Sequence, residues 1–148
     1  MNERIWKQMW TLDFLHQITK GTSVEALGIG FTEIGNDFLK AKMPVDERTI
    51  QPFGILHGGA TVHLAETLGS VASSMCLADP LTTQPVGVEI NANHLKKVLK
   101  GDVVEGVARP IRIGKRLHVW QIEVFNSRGD LVCLSRFTVM VVDKGLGF

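Results

Sequence analysis

Gln51–Ser70 reads QPFGILHGGATVHLAETLGS. It enters through a proline-and-glycine loop, passes a His-Gly-Gly triplet at 57–59, and then sets Glu66 among small and apolar residues. From Gly58 to about Ala78 the chain is rich in helix formers, with Leu64, Leu68, Val71, Met75 and Leu77 on the apolar side. The expected helix is nearly apolar all round, which predicts burial on most sides. Its length would be roughly 30 Å. An ionised carboxylate on such a helix is costly unless it is paired or hydrogen-bonded. Glu66 therefore lies at a rim, or pairs with an arginine, or has a chemical task as a general base or nucleophile.

Upstream, Thr11 is placed to cap a short helix carrying Phe14, Leu15 and Ile18, closed by Gly21. SVEALGIG starts a second short turn, and LGIGFTEIGNDFLKAKMPV reads as a hairpin around Gly35-Asn36-Asp37, ended by Pro44. Downstream of Pro85 the period becomes two. VGVEINANHL, DVVEGVARPIRI, LHVWQIEVF and LVCLSRFTVMVV read as strands, with NSRGD turning between the last two. The last strand is apolar on both faces, so it is expected to be central or covered by another subunit. One long helix against an antiparallel sheet is an α+β two-layer arrangement.

The whole chain, 148 residues, fits one domain spanning 1–148. Its 45% hydrophobic and 21% charged residues are ordinary for a globular protein. A formal net charge of +1 gives no drive toward nucleic acid or an anionic membrane. Cys76 and Cys133 form no CxxC pair, which points to buried thiols in a reducing cytoplasm and to neither a disulfide framework nor a zinc site. The opening MNERIWKQMW has the features of no secretory signal, and no apolar run reaches membrane-spanning length.

Several residues around Glu66 carry two readings. Ser70 lies four residues on, so it shares a helical face with Glu66, and Ser73 and Ser74 extend that side. Its hydroxyl either holds a water for the carboxylate or bonds to a backbone carbonyl one turn back. Gly58 and Gly59 either serve tight packing or expose helix N-terminal N–H groups to a carbonyl oxygen gaining charge. Gln51 and His57 either donate to a substrate carbonyl or cap the loop's own backbone. Gly58 and Glu66 are eight residues apart, roughly 12 Å along a helix, whereas a nucleophile must come within about 3–3.5 Å of the carbon it attacks. One helix cannot easily do both jobs, but two antiparallel helices from two subunits can. The spacing predicts an obligate dimer with composite sites.

MPVDERTIQPFGILHGGATVHLAETLGS followed by GVEINANHLK resembles the hotdog-fold acyl-CoA thioesterases, most closely the branch acting on aroyl-CoA substrates such as 1,4-dihydroxy-2-naphthoyl-CoA. The resemblance runs from Trp10 to Val142. It implies a long helix wrapped by a curved antiparallel sheet, a homodimer with a continuous sheet assembled into a homotetramer, and no cofactor or metal. It implies Glu66 as catalytic carboxylate, Gly58 as carbonyl polariser, Gln51 and His57 as thioester-orienting groups and Ser70 as partner of the hydrolytic water. Gly59, Asn93 and His94 are implied to line the substrate site. His63 stands one turn before Glu66 where an aliphatic residue is expected, and either touches the site or faces a subunit seam or solvent. CoA phosphates need cations, and Lys96, Lys97 and Lys100 head a basic stretch that runs to Arg116. A solvated surface would show the same pattern. The sequence lacks a GxSxG elbow. Hydratase chemistry, simple acyl-CoA binding and a carrier-protein thioester as substrate stay open as alternatives.

Overall fold

The computed structural model describes residues 3–145. The ends of the expected 1–148 domain, residues 1–2 and 146–148, lie outside them. The elements follow in the order α1 Leu12–Ile18, α2 Ser23–Ala26, β1 Gly30–Ile34, β2 Leu39–Pro44, α3 Gly58–Met75, β3 Thr83–His94, β4 Val103–Ile113, β5 Leu117–Phe125 and β6 Leu131–Asp143. The six strands make one antiparallel sheet in the order β1-β2-β4-β5-β6-β3, and α3 packs across it. This is the long helix wrapped by an antiparallel sheet that the resemblance implied.

Local chemistry sets the elements. Thr11 Oγ1 accepts the Phe14 N–H and caps α1 as expected. Gly35 N–H donates to the Phe38 carbonyl in the β1–β2 turn. In the β5–β6 turn Asn126 Oδ1 accepts from the Arg128 and Asp130 N–H groups, and Gly129 takes a φ of +82°.

The core lies between α3 and the sheet. Leu64, Leu68 and Met75 of α3 are fully buried against Met43, Val104, Trp120, Ile122 and Phe137. Small residues let the layers close. A Cβ at Gly106 would come within 2.5 Å of Leu68, and one at Gly69 within 2.5 Å of Phe137. Trp120 stacks on Trp6 with ring centroids 6.3 Å apart and donates its indole N–H to Ser73 Oγ at 2.7 Å.

Two expectations need correcting. Helix α3 stops at Met75, short of Ala78, because Cys76 folds its N–H back onto the last-turn carbonyls and Asp79 then accepts the Leu81 and Thr82 N–H groups. Strand β3 begins at Thr83 and takes in Pro85, which is tolerated because β3 is an edge strand. Burial of α3 on most sides is as expected: only Gly59 and Glu66 of the helix are exposed, and one narrow strip around Glu66 stays open. Strand β6 is interior, flanked by β5 and β3 as the central alternative expected, and its outer face leaves Arg136 and Met140 exposed. Among the described residues no helix is long and apolar enough to cross a membrane.

Candidate active site

The start of α3 is built by its own loop. Thr49 is buried and accepts the His57 N–H at its carbonyl, and Leu56 N–H donates to the Val98 carbonyl. His57 is the N-cap, with Nδ1 accepting the Gly59 N–H at 2.8 Å. In a neutral ring that acceptor role puts the proton on Nε2. Gln51 follows the same logic, because its side-chain oxygen accepts the Phe53 N–H. Capping and orienting were set as alternatives for these residues, yet each caps with its acceptor atom and keeps a donor atom in hand. The Gly59 N–H is used by His57, whereas no acceptor among the described residues meets the Gly58 N–H. Gly58 thus holds a free donor at the positive end of an 18-residue helix.

His94 closes over this end. A Cβ at Gly58 would sit 2.9 Å from His94 Nε2, so glycine is what allows the ring to lie there. His94 shares a sheet face with Ile90 and Ala92, which pack against the core. Asn93 lies on the opposite face of β3 by the same alternation, turned away from Gly58. A cavity of about 370 Å³ opens here, lined by Gln51, Gly58, Thr61, His94, Lys96 and Lys97.

Of the expected cations, Lys96 pairs with Asp130 at 2.7 Å and Lys100 pairs with Glu47. Lys97 has no carboxylate partner among the described residues. Farther along the basic stretch, Lys115 and Arg116 line a different cavity of about 350 Å³ at the C-terminal end of α3, with Lys7, Cys76 and His118. His118 is buried and its Nδ1 has no hydrogen-bond partner among the described residues. Burial holds its pKa below the ordinary value of 6.5, and burial pushes the Cys76 thiol up to about 12.

Glu66 stands on the open face of α3, exposed rather than buried. Its Oε1 lies 3.3 Å from where a Cβ at Gly87 of β3 would be. No cation or hydrogen-bond donor among the described residues pairs with it, so it has the rim position of the structural alternative without the arginine partner. Ser70 lies beside it, and its hydroxyl has no partner among the described residues. Its carbonyl accepts from Ser74 Oγ at 2.9 Å. Ser73 does not extend this side as expected, because it is buried and bonded to Trp120. Glu66 and Ser70 line a cavity of about 440 Å³ together with His63, Thr67, Thr19 and Ser23.

The donor at Gly58 and the carboxylate at Glu66 therefore open into two different cavities of one chain. His63, left between site, seam and solvent by the sequence, lines the Glu66 cavity. Thr19 and Ser23 were missed, since nothing local in α1 or α2 signals contact with a helix forty residues on.

A family model described as the thioesterase superfamily matches residues 53–133. The chain is 49% identical to the 1,4-dihydroxy-2-naphthoyl-CoA hydrolase of Escherichia coli (strain K12), over 93% of this chain and 99% of that protein. It is 45% identical to the proofreading thioesterase EntH of Cronobacter turicensis, over 93% and 98% of the two chains. The crystal structure of a thioesterase from Haemophilus influenzae superposes with a TM-score of 0.89 at 45% identity, covering 94% of this chain and 95% of that one.

Proposed function

This chain belongs to the thioesterase superfamily, and we propose that within it the chain hydrolyses aromatic or medium-chain acyl-CoA thioesters at a site shared by two subunits. The observation that carries the reading is the pairing of an unengaged Gly58 N–H with an unpaired Glu66 carboxylate on one helix, in separate cavities. Gly58 of one chain receives the thioester carbonyl oxygen, and the charge that builds on it meets the helix N-terminus. Gln51 and His57 supply the remaining donors around that oxygen. Glu66 of the other chain either takes a proton from water, which attacks the carbonyl carbon, or attacks that carbon itself before water releases the acid. In both routes the C–S bond breaks, the thiolate leaves with a proton from solvent, and the products are the free acid and CoA. Ser70 holds the hydrolytic water. Lys97, with Lys96 beside it, meets the nucleotide phosphates.

The relative that hydrolyses 1,4-dihydroxy-2-naphthoyl-CoA supports an aromatic acyl group. The long open edge of β3 supports sheet pairing between two chains, and the exposed Met140 and Leu117 on the outer sheet face support a second pairing into a tetramer. We assign the protein to the cytoplasm as one catalytic domain without cofactor or metal. The test is free-thiol release from benzoyl-CoA at neutral pH by the wild type and by Glu66→Gln. The expected result is turnover by the wild type and a fall of about 10³-fold in the variant, the scale of losing a key stabilising group. Equal slow rates in both would remove Glu66 from the chemistry. An enoyl change without thiol release would indicate a hydratase, and neither change would indicate a binder.

A further inference from the structure

The Glu66 cavity has a polar end that the hydrolysis itself does not use. His63 precedes Glu66 by one turn of α3 and lines the same cavity. Its Nε2 lies 2.8 Å from Ser23 Oγ, and its Nδ1 lies 3.2 Å from Thr67 Oγ1. The ring thus joins α2 to the catalytic helix in a chain of three polar side chains. A neutral imidazole has one N–H and one lone pair, so one hydroxyl donates to the ring and the other accepts from it. The accepting hydroxyl keeps its own O–H free, and both oxygens keep a lone pair. In either tautomer the cavity is therefore offered a donor and an acceptor. Val24 and Val71 supply apolar wall beside them.

We propose that His63, braced by Ser23 and Thr67, is a specificity-determining residue that favours acyl groups bearing a hydrogen-bonding substituent away from the thioester carbonyl. The assignment rests on the thioesterase reading above, with Glu66 marking the reacting carbon. Three residues of helix rise span about 4.5 Å, a distance that a six-membered ring with one substituent covers. A ring attached to a carbonyl at Glu66 brings a hydroxyl or keto group to the Ser23–His63–Thr67 chain. A hydrocarbon acyl group seated there strips water from the same polar atoms and returns nothing. Sites built to pair a substrate hydroxyl discriminate against the analogue lacking it for this reason.

The experiment compares kcat/KM for benzoyl-CoA and the three monohydroxybenzoyl-CoA isomers, using the wild type, His63→Val and Ser23→Ala. The wild type is expected to favour at least one hydroxylated isomer by about tenfold, the scale of one buried polar group losing its partner. His63→Val is expected to erase that preference by lowering kcat/KM for the hydroxylated substrate about tenfold more than for benzoyl-CoA, and Ser23→Ala to fall between. The ratio within one variant does not depend on the fraction folded. A wild type without preference, or a ratio unchanged in His63→Val, overturns the assignment and leaves the thioesterase reading standing. A wild type that hydrolyses none of the four overturns the acyl-group reading itself, and this assignment with it.

Discussion

The two faces of α3 obey opposite rules. Toward the sheet every polar group is matched, as Ser73 is with the Trp120 indole, and Leu64 and Leu68 are shut away from solvent. Toward the open side Glu66 and Ser70 have hydroxyl and carboxylate oxygens with no partner among the described residues. Buried polar atoms lacking partners destabilise a fold, whereas exposed ones carry no such penalty and stay available. One 18-residue helix thereby packs its core side chains on one face and leaves unengaged polar groups on the other.

The sharpest way to break this comparison is to divide the chemistry between chains. Gly58→Pro removes the free N–H at the first helical position, where the proline backbone fits, and its added Cβ also pushes aside the His94 ring of the same chain. The preceding His57 already has the extended backbone that proline requires, at φ −72° and ψ 128°. Thiol release should fall about 10²–10³-fold, as for loss of one oxyanion donor. Co-expressed with Glu66→Gln chains, activity should return to about a quarter of wild type. Half of the dimers would then be mixed, each with one intact composite site. No recovery would place both groups' work within one chain.

The core-facing side should answer differently. Leu68→Ala should destabilise by about 2–5 kcal/mol, read from urea unfolding, because Leu68 is fully buried and fills the space over Gly106. Its activity per folded molecule should be near that of the wild type. A milder version is Ser73→Ala, which strands the Trp120 N–H and should destabilise by about 1–3 kcal/mol. Ser70→Ala, three residues earlier on the open face, should leave the melting temperature within error and lower kcat. If Ser70→Ala instead destabilised as much as Ser73→Ala, the division of faces would fail.

The smallest effect sits at the far end of the helix. Burial lowers the His118 pKa below 6.5, so the unfolded chain takes up this proton before the folded one does. The neutral ring's contribution is complete above pH 6.5 and is lost as pH falls from there through the folded pKa. His118→Leu should flatten that part of a melting-temperature profile while leaving the profile above pH 7 unchanged in slope. An unaltered acid slope would mean that other groups set it.

The α+β class, the long helix, the hairpin and the four late strands were legible in the sequence, because period, caps and turns are short-range signals. So was the separation of Gly58 from Glu66, which follows from helix rise alone. The family resemblance rested on residues that lie close in the chain, from the QPFG loop to NANH. What the sequence could not determine depends on what packs where. It read α3 as buried on most sides, which holds, but apolarity alone does not say which strip of the helix stays open. It placed Ser73 beside Glu66, where only the position of Trp120 shows that it turns inward. Likewise Ser23 reaches His63 across forty residues. Contacts of that kind come from how α2 settles on α3, and no local pattern encodes them, so tertiary structure alone decided them.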